Sequence, residues 1–427
     1  MKTVALNTEQ APPISVPLRF FAVAPLFLSL AALILLSGTD NPFSDAHMPS
    51  LLAATHCITL GFMATIMAGA MQQILPVVIG SPMPASRAVA WIIFLPLLSG
   101  ALLLPAGFLM GQPLLLNLAW PLLLLAFTAF IAASMIGLAR SPARNATRTA
   151  LQLSICALAV GVVPGILLAH GYATGTVPPN AAGLASAHVS LMLGGWVLLL
   201  IVGVSYQVVP MFQLTPNYPK WLTVALAPAI FGSLLLNESL LLFQPESHWP
   251  FVVAKGVFWV VAGCFAIATL GVQNKRRRRV ADATLSFFRL GMIALLCTAL
   301  LATATPLFRA SEHLEILTVV VFLLGFAMSV MHGMLYKIIP FLVWFHLFRG
   351  GIKAGIPNMK EIIPERWMWR HLWLHRGTLL AALCAPWWGA AARLLALGLL
   401  LQGALLAYAL FTAISVYRRT LARLEQT

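Results

Sequence analysis

Charge is what this sequence has least of. Only 9% of its 427 residues are Asp, Glu, Lys or Arg, against about a quarter in an ordinary water-soluble domain. That scarcity excludes a globular domain surrounded by water. Cysteine is also sparse: Cys57, Cys156, Cys264, Cys297 and Cys384 fall singly in apolar runs, without a C-x-x-C pair. A disulfide framework is therefore unsupported, and each thiol reads as a small hydrophobe. No phosphate-binding glycine loop, nucleophile elbow or H-E-x-x-H is present, which leaves a soluble hydrolase or an ATP-driven pump without its machinery.

In place of charge there are long hydrophobic runs. The chain is 60% hydrophobic, with a mean hydropathy of +0.92, and stretches of about 20 apolar residues need a bilayer. We expect an all-α polytopic membrane protein, one transmembrane domain over residues 1–427, whose surrounding partner is the lipid. Helices are predicted near 18–38, 50–76, 88–110, 112–138, 149–170, 186–212, 220–243, 250–272, 285–307, 313–345, 368–389 and 391–417. The eleventh has the weakest signal, because His371, His375 and Arg376 interrupt its start.

The net charge of +15 is concentrated in loops. Basic residues gather in Arg140–Arg148, Lys275–Arg279, Lys353–Arg370 and Arg418–Arg423, each after an even-numbered helix, and Arg87 and Lys220 follow the same rule. This is a topology signal rather than a nucleic-acid site. It predicts cytoplasmic loops at those places and both termini inside; anionic lipid at Lys275–Arg279 is the minor alternative. Residues 1–16 read as a cytoplasmic segment, with Pro12 and Pro13 and no basic stretch leading into an apolar core, so no cleavable signal is expected.

One motif is repeated three times. Gly61, Gly69 and Pro76 recur as Gly195, Gly203 and Pro210 and again as Gly325, Gly333 and Pro340, always as G-x7-G-x6-P, with starts 134 and 130 residues apart. It falls on the second, sixth and tenth predicted helices. The chain thus divides into three four-helix repeats, approximately 18–138, 149–272 and 285–417.

Ionisable side chains inside a membrane are functional candidates by default. His56 lies 13 residues before Gly69 and His188 lies 15 before Gly203, so their depths differ by about 3 Å of helical rise. Imidazole is a ligand for haem iron and for copper, and a glycine face would admit a flat macrocycle or a neighbouring helix. Glycine packing with each His capping a periplasmic helix end stands level with ligation for either residue alone; the repeat favours ligation, for His56 more than for His188. In the third repeat the place of His56 is held by Val320. His332, twelve residues further on, is expected to be a buried structural histidine. His371 and His375 have i, i+4 metal spacing, but Trp367, Trp369 and Trp373 interleave with them, which favours an interfacial aromatic belt. Glu238 and Lys255, near the outer ends of neighbouring helices, form a candidate ion pair. Gln72 and Gln73, Tyr206 and Gln207, and Tyr336 and Lys337 occupy matching places, either lining a cavity or satisfying carbonyls freed by the prolines.

These residues resemble subunit I of the haem–copper oxidases and the related nitric oxide reductases. That family has twelve helices with pseudo-threefold symmetry, and its second helix carries a haem-ligating His followed about fourteen residues later by Gly and then Pro. His56 to Pro76 is similar to that segment, and so is His188 to Pro210. The pattern also departs from the family. Thr318 and Val320 stand where the tenth helix should carry two histidines, and the seventh helix offers Asn237 and Glu238 where copper-ligating histidines should be. The usual binuclear centre is absent, so a typical terminal oxidase is not expected. The resemblance implies a divergent, NnrS-like relative in a bacterial inner (cytoplasmic) membrane. It would bind haem b, with copper as a second candidate, and serve respiratory electron transfer or nitric oxide stress. His56 would be an axial ligand, with His188 or His313 opposite, and a membrane or periplasmic electron-transfer protein would be its partner. Any enzymatic activity would be that of an oxidoreductase. Two other readings stand beside this one: a secondary transporter or permease without a redox cofactor, for which twofold rather than threefold repeats are usual, and a non-catalytic membrane subunit.

Overall fold

Where a chain has too little charge to hold water around it, its backbone must satisfy itself, and in a bilayer the α-helix does this within one segment. The computed structural model describes residues 11–38, 41–243, 248–278, 280–307, 311–349 and 355–424. Residues 1–10 of the expected N-terminal segment, Arg279 and Lys353 lie outside the described residues. The described residues are predominantly helical, with no strand among them, and eleven of their helices are long and apolar enough to cross a membrane. This is a multi-pass, all-α membrane protein.

In chain order the helices are α1 (Ser15–Ser37), α2 (Pro49–Ile79), α3 (Ser86–Met110), α4 (Pro113–Arg140), α5 (Ala146–Thr174) and α6 (Ala181–Gln213). They continue as α7 (Lys220–Phe243), α8 (His248–Asn274), α9 (Ala283–Leu307), α10 (Glu312–Phe348), α11 (Glu365–Cys384) and α12 (Gly389–Leu424). The expected helices are all present, within a few residues at most ends. Helix α11 stands apart from the eleven apolar spans because Glu365, Arg366, Arg370 and Arg376 lie within it.

The bundle is built of antiparallel neighbours: α3 along α4, α4 along α5, α8 along α9, α11 along α12, with α12 closing back on α1. Two ends can be told apart. At the end where α1 begins and α12 finishes, the His346 ring bonds the Pro12 carbonyl through Nε2 at 3.0 Å. At the far end, the Asn41 amide donates to the Ala385 carbonyl at 2.9 Å, and the Ala46 N–H donates to Glu312 Oε1 at 2.9 Å.

The repeated motif has a structural meaning. In each repeat the first glycine lies at the same place inside a π-helical stretch: Cys57–Ala64 in α2, Leu191–Val197 in α6, Val321–Met328 in α10. Each pair of glycines packs on the helix that opens its repeat. A Cβ on Gly61 would meet Phe27 and one on Gly69 would meet Phe20. The corresponding contacts are Gly195 with Ala157 and Gly203 with Ala150, then Gly325 with Ala294 and Gly333 with Phe287. The partners are always seven residues apart, whereas the glycines are eight apart. Seven residues of α-helix nearly complete two turns; eight overshoot by about 80°. The wider π turn absorbs the extra residue, so both glycines face the same neighbour. The G-x7-G spacing therefore encodes the bulge.

Candidate functional site

The bulges begin just below the histidines. His56 is the residue before one π stretch, and His188 is three before another. Each lies seven residues into its helix, about 10 Å below the far end by helical rise. Both rings line one cavity of about 1310 Å³ bordered by segments from all three repeats. Pockets for drug-sized ligands run to about 300–1,000 Å³, so this one has room for a large planar ligand.

Both imidazoles are held in one tautomer. His56 Nδ1 bonds the Leu52 carbonyl at 2.7 Å, and His188 Nδ1 bonds the Gly161 carbonyl at 2.9 Å. A carbonyl only accepts, so each Nδ1 carries the proton and each Nε2 keeps its lone pair. The His188 ring fits a notch that a side chain would fill: a Cβ on Gly165 would lie 2.5 Å from Cε1 of the ring. Phe108 packs on His56 with ring centroids 5.5 Å apart. The two histidines are within electrostatic reach of each other.

Polar groups collect toward the far end. Lys255 lines the cavity with Glu312, Glu315, Asn237, Asp45 and His47. The expected Glu238–Lys255 ion pair is not formed. Glu238 is buried and accepts from the Asn237 amide at 2.8 Å, while Lys255 lies within electrostatic reach of Glu315 and Glu238 without contacting either. The ion pair among the described residues is Lys337–Asp282, at 3.1 Å. His313 stacks on Trp387 at 6.1 Å and does not line the cavity. Of the two candidates opposite His56, the fold therefore brings His188 to it.

The repeated polar pairs do not serve the proline-freed carbonyls. Gln72 Nε2 reaches back to the Ala68 carbonyl at 3.5 Å, while Gln73 and the Tyr206 hydroxyl have no protein partner. In the third repeat, Tyr336 bonds His371 and Lys337 bonds Asp282.

The aromatic-belt expectation for His371 and His375 is overturned. Their exposures are 0% and 1%, and with His332, at 0%, they form a cluster inside the third repeat. The outward face of α11 carries Trp373, 63% exposed, with the Arg376 guanidinium 4.6 Å from its ring centroid. Trp369 and Trp373 lie on the face opposite the two histidines, whereas Trp367, four residues before His371, shares their side and is partly buried. Four-residue spacing was the available signal, since it places both imidazoles on one side.

Among the described residues, no three His, Cys, Asp or Glu side chains are already arranged to hold a metal ion. No family model matches the sequence, and no curated protein matches it.

Proposed function

We propose that this chain is a haem-binding integral membrane protein of the oxidase-like class, with His56 and His188 as the residues that hold a haem b. The observation that carries this reading is the shared cavity lined by two imidazoles, each with Nδ1–H committed to a backbone carbonyl. That second bond fixes the ring and raises the basicity of Nε2, as it does for metal-ligating histidines generally. A haem bound there would supply a one-electron couple.

The chain's own part is to bind, orient and exclude water. The Leu52 and Gly161 carbonyls orient the rings, and Phe108 and Trp196 form apolar wall. Lys255 supplies a cation to acidic groups of a ligand. Copper is the second metal candidate for the same imidazoles. The basic loops support an inner-membrane placement with cytoplasmic termini, and the respiratory or nitric oxide role, with its electron-transfer partner, follows from the family resemblance.

The test is a reduced-minus-oxidised visible spectrum of detergent-purified protein expressed with ample haem, together with metal analysis. A b-type α band at about one haem per chain is expected, lost in His56→Ala and in His188→Ala. A featureless spectrum would sink the haem reading. Lys255, Glu312 and Glu315 on the cavity wall would then favour a transporter, and solute uptake would be the next assay.

A further inference from the structure

The third repeat contains a second constellation that the cavity does not use. Phe287 of α9 lies among His332 of α10 and His371 and His375 of α11. Its ring centroid is 5.9 Å from His332, 5.6 Å from His371 and 5.6 Å from His375. The His332 ring is 4.4 Å from His371 and 5.3 Å from His375, centroid to centroid. Phe62 of α2 closes another side, 5.4 Å from His332.

Their hydrogen bonding is uneven. His375 Nδ1 bonds Gln402 Oε1 at 2.7 Å, and the Gln402 amide nitrogen donates to the Thr378 hydroxyl at 2.9 Å. The amide oxygen only accepts, so His375 carries its proton on Nδ1. The Ser329 hydroxyl, 2.8 Å away, then donates to Nε2. His371 Nδ1 bonds the Tyr336 hydroxyl at 2.8 Å, and its Nε2 has no protein partner. His332 has none at either nitrogen, although its exposure is 0%. A buried polar group without a partner is costly, and here three ring nitrogens in one cluster are in that position.

We propose that these histidines form a copper(I) site, with His332 and His371 as ligands and His375 as the third after its Ser329 bond gives way. Ligand type and charge together select the ion. Imidazole suits copper, zinc, iron and nickel. No carboxylate is among the cluster's partners, and burying uncompensated charge is costly in a low-dielectric interior. A monovalent ion carries the smallest such cost. Gln402 holds His375 from behind and Tyr336 holds His371, the outer-shell support that metal-bound histidines use. The site lies on α10 and α11, away from the cavity that holds His56 and His188, and does not depend on the haem reading.

The experiment is a titration of the full-length detergent-purified protein with copper(I) under reductant, in competition with bicinchoninate, followed by X-ray absorption on the wild-type sample. One equivalent of copper in a nitrogen-only shell of two or three imidazoles is expected. His332→Ala and His371→Ala should each lower affinity at least 100-fold. Gln402→Ala should lower it about 10- to 100-fold, and the His56→Ala/His188→Ala double variant should retain it. The absorption spectrum needs no variant, so a misfolded substitution does not leave the question open. No copper uptake, uptake unchanged in His332→Ala, a shell containing sulfur, or preferential retention of zinc(II) would each overturn the proposal.

Discussion

A methyl group added at Gly61 would overlap the Phe27 ring, whereas one added at Gly232 would meet nothing within 4 Å. Gly61→Ala is therefore expected to destabilise by about 1–3 kcal/mol through overpacking, and Gly232→Ala to be close to neutral. Thermal unfolding in detergent checks the pair; equal midpoints would remove the close-packing role given to the motif glycines. Asp282 offers a pH test. Burial pushes its carboxyl up, but Lys337, the Thr284 hydroxyl and the Thr284 N–H outweigh that and hold it below the ordinary value. Its folded value is depressed, so its contribution is fully present above the unfolded value of about 3.9. That contribution is lost as pH falls through the folded value. Asp282→Asn keeps an acceptor at the start of α9 and removes the charge. Wild type should exceed it by about 1 kcal/mol at neutral pH, and the gap should close only as the pH falls below about 3.9, toward the depressed folded value. A pH-independent gap would assign the effect to the cap alone.

At the scale of the helix, the sequence displayed the motif and, without saying so, the bulge. Hydrophobic runs located the helices because the bilayer sets their length, and the repeated glycines marked the helices that pack most closely. The π turns were legible only after the partners' seven-residue spacing could be set beside the glycines' eight. This leads to a deletion test. Removing Val197, inside the π stretch of α6, leaves Gly195 and Gly203 seven apart, matching Ala157 and Ala150 on α5. The stretch becomes α-helical and both contacts survive, so a folded, monodisperse protein is expected. Removing Ser205, beyond Gly203, rotates the following turns by about 100° and should abolish folding. Size-exclusion profiles of the two deletions decide it; equal failure would refute the compensation argument. Helix α11 was misread for a related reason. Tryptophan is a strong interfacial signal, but the three that interleave with His371 and His375 say nothing about which way the imidazoles face. Only packing against α9, α10 and α12 turned His371 and His375 inward.

Across the whole molecule the frame is repeated and the chemistry is not. Repeats one and two carry His56 and His188 into one cavity, where repeat three offers Thr318 and Val320. Repeat three instead carries His332, about 18 Å deeper than the level of Val320 by helical rise. The two constellations share no residue, which has a thermodynamic consequence. A ligand that binds only the folded state stabilises it by about 2.7 kcal/mol at one hundred times its dissociation constant. Haem supplied during expression and copper(I) added afterwards should each raise the unfolding midpoint of the wild type. Sites this far apart with no common partner should add to within about 0.3–0.5 kcal/mol. In His56→Ala/His188→Ala the haem increment should vanish and the copper increment remain. His332→Ala should give the reverse pattern. If either substitution removes both increments, the two sites are coupled through the π-bulged helices, and the picture of one frame holding two independent sites fails.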